Sequence, residues 1–219
     1  MANYLIIGGH GKVGLRTAPL LAQEGHTVTS VIRSSEQTPE IEAAGAKALV
    51  LDIETASQEE LVQAFEGQDA IVWSAGAGGG SPERTYAVDR DAAIRSMDAA
   101  LQAGVKRYVM VSYMGATTQH GIAEDDPFFP YAESKAAADE YLRNSGLDWT
   151  ILGPGKLTLD EPTGMIAVGS GTADGSNRDT SRGNVAQAVR VALDTQNSIG
   201  KQIDFVDGEE PVSAAFSQL

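Results

Sequence analysis

Two groups of residues in this chain have the types and spacing to do chemistry. The first is Gly8-Gly9-His10-Gly11-Lys12-Val13-Gly14, which follows the apolar run Tyr4-Leu5-Ile6-Ile7 and leads into a helical pattern from about Leu15. Glycines here permit positive φ angles and the close backbone approach that a pyrophosphate needs. The helix N-terminus adds unpaired N–H groups and the positive end of its dipole. The run reads as GxGxxG from Gly9 or as GxxGxxG from Gly8, so its spacing leaves the nucleotide-binding subtype open. The second group is Tyr131 and Lys135, four residues apart on an expected helix, so that both side chains meet one site. An ammonium beside a phenol stabilises phenolate and lowers the Tyr pKa, which suits Tyr131 to donate a proton to a carbonyl during hydride delivery.

The next strand, Val28 to Ile32, ends at Arg33-Ser34-Ser35. A carboxylate at this point would accept hydrogen bonds from the adenosine ribose and repel a 2′-phosphate. A guanidinium instead holds that phosphate bidentately, and the flanking serines can donate to it. The expected cofactor is NADP(H), with Arg33 and Ser34 at its 2′-phosphate.

Positioning these groups requires a repeated strand-helix unit. Strand-like runs recur at Tyr4 to Ile7, Val28 to Ile32, Ala48 to Leu51, Ala70 to Trp73, Tyr108 to Val111 and Trp149 to Leu152, and they are apolar without alternation. That pattern suits strands buried on both faces of a parallel sheet. The longest helix is expected at about Glu83 to Ala103, stopped by Gly104, and another from about Tyr131 to Asn144. The long helix offers either a dimer face or simple packing on the sheet, so a monomer and a homodimer both remain open. Between Gly153 and Ser181 the rhythm breaks, with only Met165 to Val168 resembling a strand; a last helix is expected near Asn184 to Leu193 and a strand near Gln202 to Val206. The fold class is therefore α/β: a doubly wound, parallel Rossmann-type sheet in a single dinucleotide-binding domain spanning 1–219. Segments 153–181 and 197–219 contribute a small C-terminal substrate lobe. Phe128, Phe129, Leu157, Leu159 and Met165 form an apolar candidate wall that either accepts an aromatic compound or packs the lobe.

At 219 residues the chain fits one compact domain. Its net charge of −14 argues against general binding to nucleic acid or to anionic membranes, both of which need a basic surface. There is no cysteine, so thiol nucleophiles and disulfides are excluded and redox chemistry must come from a cofactor. His10, His26 and His120 lack metal-ligand spacing, so no metal is expected. A strand begins by residue 3 without a charged-plus-apolar leader, and no apolar run approaches the roughly 18 residues of a membrane helix, so a cytoplasmic location is expected.

These residues, taken together, resemble the short-chain dehydrogenase/reductase superfamily in its atypical or extended form. Besides the glycine loop and Arg33, the resemblance rests on Leu51-Asp52-Ile53, Gly67-Gln68-Asp69-Ala70, Ser74-Ala75-Gly76 and Ala103-Gly104-Val105-Lys106-Arg107. It continues through Val111-Ser112, Tyr131-Ala132-Glu133-Ser134-Lys135 and Leu152-Gly153-Pro154-Gly155. It implies that Asp52 and Ile53 border the adenine, Ser74, Ala75 and Gly76 the adenosine ribose, and Pro154 and Gly155 the nicotinamide end. Lys135 would also hold the nicotinamide ribose, and Ser112 would join Tyr131 and Lys135 as a catalytic residue. Extended members present a serine run at this strand, with a later hydroxyl polarising the substrate carbonyl. Here Met114 stands at that later position, and a thioether cannot donate a hydrogen bond. Thr117 or Thr118 as substitutes, or Tyr131 acting alone, are the routes left.

The activity implied is NADP(H)-dependent reduction of a small carbonyl, quinone or flavin-like acceptor, the small-molecule substrate itself being unknown. An NADP-dependent nucleotide-sugar epimerase or dehydratase is a second reading, disfavoured because only about 65 residues follow Pro154 to build a sugar-nucleotide lobe. A non-catalytic NADP(H)-sensing regulator, resembling the nitrogen-metabolite regulators, is a third. Met114 favours it, and retention of Tyr131 with Lys135 disfavours it.

Overall fold

The computed structural model describes residues 1–79, 81–169 and 178–219. From the N-terminus strands and helices alternate: β1 (Asn3–Ile7), α1 (Gly14–Gln23), β2 (Thr27–Ile32), α2 (Thr38–Ala43), β3 (Lys47–Val50), α3 (Gln58–Phe65) and β4 (Ala70–Trp73). A composite helix follows, made of α4 (Pro82–Thr85), a π-helical segment (Tyr86–Ala92) and α5 (Ala93–Gln102). Then come β5 (Arg107–Val111), α6 (Phe129–Asn144) and β6 (Asp148–Pro154). The C-terminal part holds β7 (Lys156–Thr158), β8 (Met165–Val168), β9 (Asp179–Ser181), α7 (Arg182–Asp194), β10 (Lys201–Asp207), β11 (Glu210–Pro211) and α8 (Val212–Ser217).

Among the described residues, nine strands form one sheet in the order β11-β8-β10-β6-β5-β4-β1-β2-β3. Pairing from β3 across to β10 is parallel, and β8 and β11 finish the sheet with antiparallel contacts. Alternate residues of the central strands feed two cores, as a sheet covered on both faces requires. Ile6, Val72 and Val109 pack with Leu21 of α1 and Val189 of α7. Leu5, Ile71 and Tyr108 pack with Phe65 of α3, Met97 of α5 and Leu142 of α6. Met97 and Ala100 are thus accounted for by packing within the chain. α3 starts on a capping box, in which the Ser57 N–H donates to Glu60 Oε2 (2.8 Å) and the Glu60 N–H to Ser57 Oγ (3.2 Å).

Three features depart from the expected pattern. The single helix expected over 83–103 contains the π-helical segment, whose wider turn breaks the 3.6-residue stripe and carries Asp89 into the interior, 1% exposed. α6, at 16 residues, is therefore the longest uninterrupted α-helix among the described residues. It begins at Phe129, ahead of the expected Tyr131, because Pro130 is tolerated in a first turn, where its missing N–H would have no partner. Finally, β8, β10 and β11, drawn from the two lobe segments, extend the main sheet, and β7 pairs with β9 beside it. The remaining lobe residues 170–177 lie outside the described residues.

Candidate functional site

The chain winds outward from β1 to β2 and β3, then returns to place β4 on the other side of β1. At such a switch the loops leaving neighbouring strands diverge and open a crevice at their carboxyl ends. A cleft of ≈ 450 Å³ lies there, walled by Gly8, His10 and Gly11 after β1, Arg33 after β2, Asp52 and Ile53 after β3, and Ser74, Ala75 and Gly76 after β4. A second hollow of ≈ 280 Å³ shares Ala77, Gly78 and Gly79 with it and reaches Asp89, Pro130 and Tyr131. The two hollows adjoin at that shared wall, one bounded by the glycine loop and the other by Tyr131.

The glycines are required by close approach. Gly8 has φ +83, and a Cβ there would lie 2.6 Å from the Ala75 nitrogen. A Cβ on Gly9 would lie 2.4 Å from Ser30 Cβ, and one on Gly14 2.6 Å from the Gly8 oxygen. The loop is held by Gly9 N–H donating to Val31 O (3.0 Å) and Gly11 N–H to Gly8 O (2.9 Å). His10 is steered by Glu40 (2.9 Å to Nε2) and Gln37 (3.0 Å to Nδ1). Lys12 is exposed, and Val13 is buried in the core. Arg33 is exposed at the cleft and makes no hydrogen bond or ion pair among the described residues, whereas Ser34 Oγ accepts from the Glu36 N–H (3.4 Å). Across the cleft, Arg84 ties two loops together, donating to Glu54 Oε2 (3.0 Å) and Ala77 O (2.7 Å).

At the other end, Lys135 is 1% exposed and its Nζ donates to Val111 O (2.9 Å). Two buried carboxylates surround it electrostatically: burial pushes both Asp89 and Asp139 up, and the Lys135 ammonium pulls both back down. Asp89 Oδ2 accepts from the Ala77 N–H (2.8 Å), linking the π segment to the loop after β4. Burial first, then Asp89 and Asp139, push the Tyr131 phenol well above its ordinary value. This reverses the expectation that Lys135 lowers it: burial disfavours the phenolate most, and the two carboxylates add to that effect.

Ser112 is 4% exposed and donates to Asp139 Oδ2 (2.5 Å), so its hydroxyl is committed to α6. Pro154 O accepts from the Met114 N–H (2.9 Å), placing it beside the end of β5. Gly155 packs so closely that a Cβ would lie 2.1 Å from Arg178 O, and its N–H already donates to Phe205 O (3.0 Å). Of the apolar wall, only Phe128 meets Tyr131, with ring centroids 5.3 Å apart. Phe129 packs on His120, Leu157 joins the core, and Leu159 and Met165 are exposed.

A family model described as NAD(P)H-binding matches residues 8–196. The chain belongs to this NAD(P)H-binding family. It is 35% identical over 216 residues to the uncharacterized sugar epimerase YhfK of Bacillus subtilis, covering 98% of each chain. A solved structure of a provisional NAD-dependent epimerase/dehydratase from Bacillus halodurans superposes with a TM-score of 0.90 at 30% identity, over 100% of both chains. The oxidoreductase ylbE from Lactococcus lactis gives a TM-score of 0.87 at 30% identity, over 99% of this chain and 96% of that one.

Membership of the NAD(P)H-binding family supports a nicotinamide dinucleotide as the cofactor of this chain. The residues present fit it. Ser74 Oγ and Gln37 Oε1, from residues of the cleft wall, are buried polar atoms without a partner among the described residues. Each such atom costs stability until a hydrogen-bonding ligand reaches it. Among the described residues no three His, Asp or Glu are grouped to hold a metal ion, and no helix is long and apolar enough to cross a membrane.

Asp89, Arg84 and Tyr113 were not singled out by sequence reasoning. An acid between Val88 and Ala92, on the apolar face of an expected helix, was the available signal for Asp89. Its raised pKa means that the folded state holds the proton more tightly than the unfolded chain, so its contribution to stability falls as pH rises from the ordinary carboxylate value, about 4. Asp89→Asn keeps an acceptor for the Ala77 N–H and removes the ionisation. Its stability is expected to fall less than the wild type's between about pH 4 and pH 7. Urea unfolding at both pH values checks this, and equal slopes in the two proteins would refute it.

Proposed function

We propose that this protein is an NADP(H)-dependent oxidoreductase that reduces a small carbonyl, quinone or flavin-like acceptor. The observation that carries this reading is that the hollow lined by Tyr131 adjoins the glycine-loop cleft, the two sharing Ala77, Gly78 and Gly79. The glycine loop and the N-terminus of α1 hold the pyrophosphate, Arg33 and Ser34 the 2′-phosphate, Asp52 and Ile53 the adenine, and Ser74, Ala75 and Gly76 the adenosine ribose. When bound, the dinucleotide supplies a hydride. Tyr131 gives the accompanying proton to the acceptor atom that gains negative charge. Lys135, with two of its three N–H donors used on Val111 O and Met110 Sδ, turns the third to the nicotinamide ribose. Pro154 borders the nicotinamide end.

The preference for NADP(H) is supported by the unpartnered Arg33 at the cleft. Calorimetric titration with NADPH, NADP⁺ and NADH tests it directly. Arg33→Ala is expected to weaken NADPH binding by about 10–100-fold, the worth of a charge-assisted bidentate contact, and to leave NADH binding nearly unchanged. Equal loss for both dinucleotides would remove the basis for an NADP(H) assignment. Failure of every dinucleotide to bind the wild type would sink the whole reading.

The names of the relatives favour one other activity, epimerisation or dehydration of a sugar nucleotide. Against it, β8, β10 and β11 are used to extend the sheet, leaving few residues to enclose such a substrate. Saturable binding of a nucleotide sugar to the NADP⁺ complex would favour it over reduction of a free acceptor.

A further inference from the structure

The end of β5 has hydroxyl side chains, yet almost none is free to meet a ligand at Tyr131. Ser112 is committed to Asp139. Met114 has no donor, Thr118 is exposed, and exposed Thr117 accepts from the Gln119 N–H. Tyr113 differs from all of these. Its ring sits 5.6 Å from Tyr131 and 5.5 Å from Phe128, centroid to centroid, the latter at 83°. Its phenol oxygen is buried and has no hydrogen-bond partner among the described residues. A hydroxyl so placed carries a desolvation cost that an incoming acceptor relieves. Burial, Asp139 and Glu133 push the phenol upward, so it stays protonated and able to donate.

We propose that Tyr113 is a substrate-contacting residue, whose phenol O–H donates to a ring carbonyl or ring nitrogen of a planar aromatic acceptor seated against the rings of Tyr113 and Tyr131. Phe128, 44% exposed and edge-on to Tyr113, is the ring the ligand displaces, since moving it sacrifices little apolar burial. Tyr113 thereby provides the hydrogen bond that Met114 cannot. This rests on the oxidoreductase reading for the identity of the bound compound as an acceptor, and it narrows that reading from carbonyls in general to planar aromatic ones. The two rings that stay, Tyr113 and Tyr131 with centroids 5.6 Å apart, suit such a molecule, because offset and edge-on packing adds to its area burial. A short aliphatic carbonyl would leave those faces uncovered.

The test uses the full chain saturated with NADP⁺ and two probes of similar shape. Menadione carries two ring carbonyls, and 2-methylnaphthalene carries none. Tyr113→Phe keeps the ring and removes an oxygen that bonds to nothing in the protein, so the fold is not at risk. It is expected to weaken menadione binding by about tenfold, the worth of one net hydrogen bond, and to leave 2-methylnaphthalene and NADPH affinities unchanged. Equal binding of menadione by the two proteins overturns the proposal. So does loss of both aromatic probes together, or failure of the wild type to bind menadione. If menadione binds in a Tyr113-dependent way but NADPH is not consumed, the contact stands and the oxidoreductase reading falls. If NADPH is consumed with menadione at the same kcat/KM in both proteins, the oxidoreductase reading stands and the contact falls.

Discussion

Tyr131→Phe is expected to lower kcat/KM for the acceptor by about 10², with the Kd for NADPH unchanged. The substitution removes only the phenol oxygen. The remaining ring still packs on Tyr113 and Phe128 in the first turn of α6, so the site keeps its shape. General acids contribute about 10²–10⁴, and the low end applies here because a phenol raised by burial, Asp89 and Asp139 is a weaker acid than a free one. The same shift has a consequence for pH. The active form is the protonated one and is lost only above the raised pKa, so Tyr131 imposes no limb on the reduction rate between about pH 6 and 9. Steady-state rates across that window, with and without the substitution, check both statements. A variant that retains wild-type turnover would show that Tyr131 is not the proton donor.

Gly14→Ala carries the largest expected effect on binding. Its new methyl would stand 2.6 Å from Gly8 O and 2.8 Å from Gly9 O, both backbone atoms. No rotamer change relieves such a contact, so the loop itself must move. The loop cannot move freely, since Gly8 abuts Ala75 and Gly9 abuts Ser30. Overpacking of this kind costs about 1–3 kcal/mol, and each kcal/mol lowers Tm by about 2–4 °C in a chain of this size. Displacing the amides that face the pyrophosphate is expected to weaken NADPH binding by at least about 100-fold. Calorimetry and a thermal melt on the same sample separate the two effects. NADPH binding at wild-type strength would show that the loop does not cradle the pyrophosphate.

Much of this protein was legible in its sequence because the relevant physics is local. A strand that turns sharply into a helix around a phosphate needs glycine at particular steps, and Gly8, Gly9 and Gly14 are each held there by contacts too close for a side chain. Continuous apolar runs at β1, β4 and β5 could only be strands covered on both faces, and the strand-helix alternation set their parallel order. Arg33, read from its place after β2, and Asp52 and Ser74, implied by the family resemblance, line one cleft because loops after parallel strands share one edge.

What the sequence left open depends on partners far along the chain. β8 was readable as a strand, but its antiparallel place beside β10 is decided by Phe205, Val206 and Asp207, whose backbone pairs with Ile166, Ala167 and Val168. The π turn carries Asp89 to the Ala77 N–H across the site, a contact between separate elements. Ser112 and Tyr113 were adjacent letters of a strand end; only packing against α6 commits one hydroxyl to Asp139 and leaves the other without a partner. Likewise Lys135 was expected to acidify Tyr131, and the tertiary fold reverses the sign by burying the phenol and, after that, by bringing Asp89 and Asp139 near it. Backbone conformation and face periodicity are properties of neighbouring residues and can be read in order. Hydrogen-bond partners and local fields are sums over residues distant in sequence, which only the folded chain brings together.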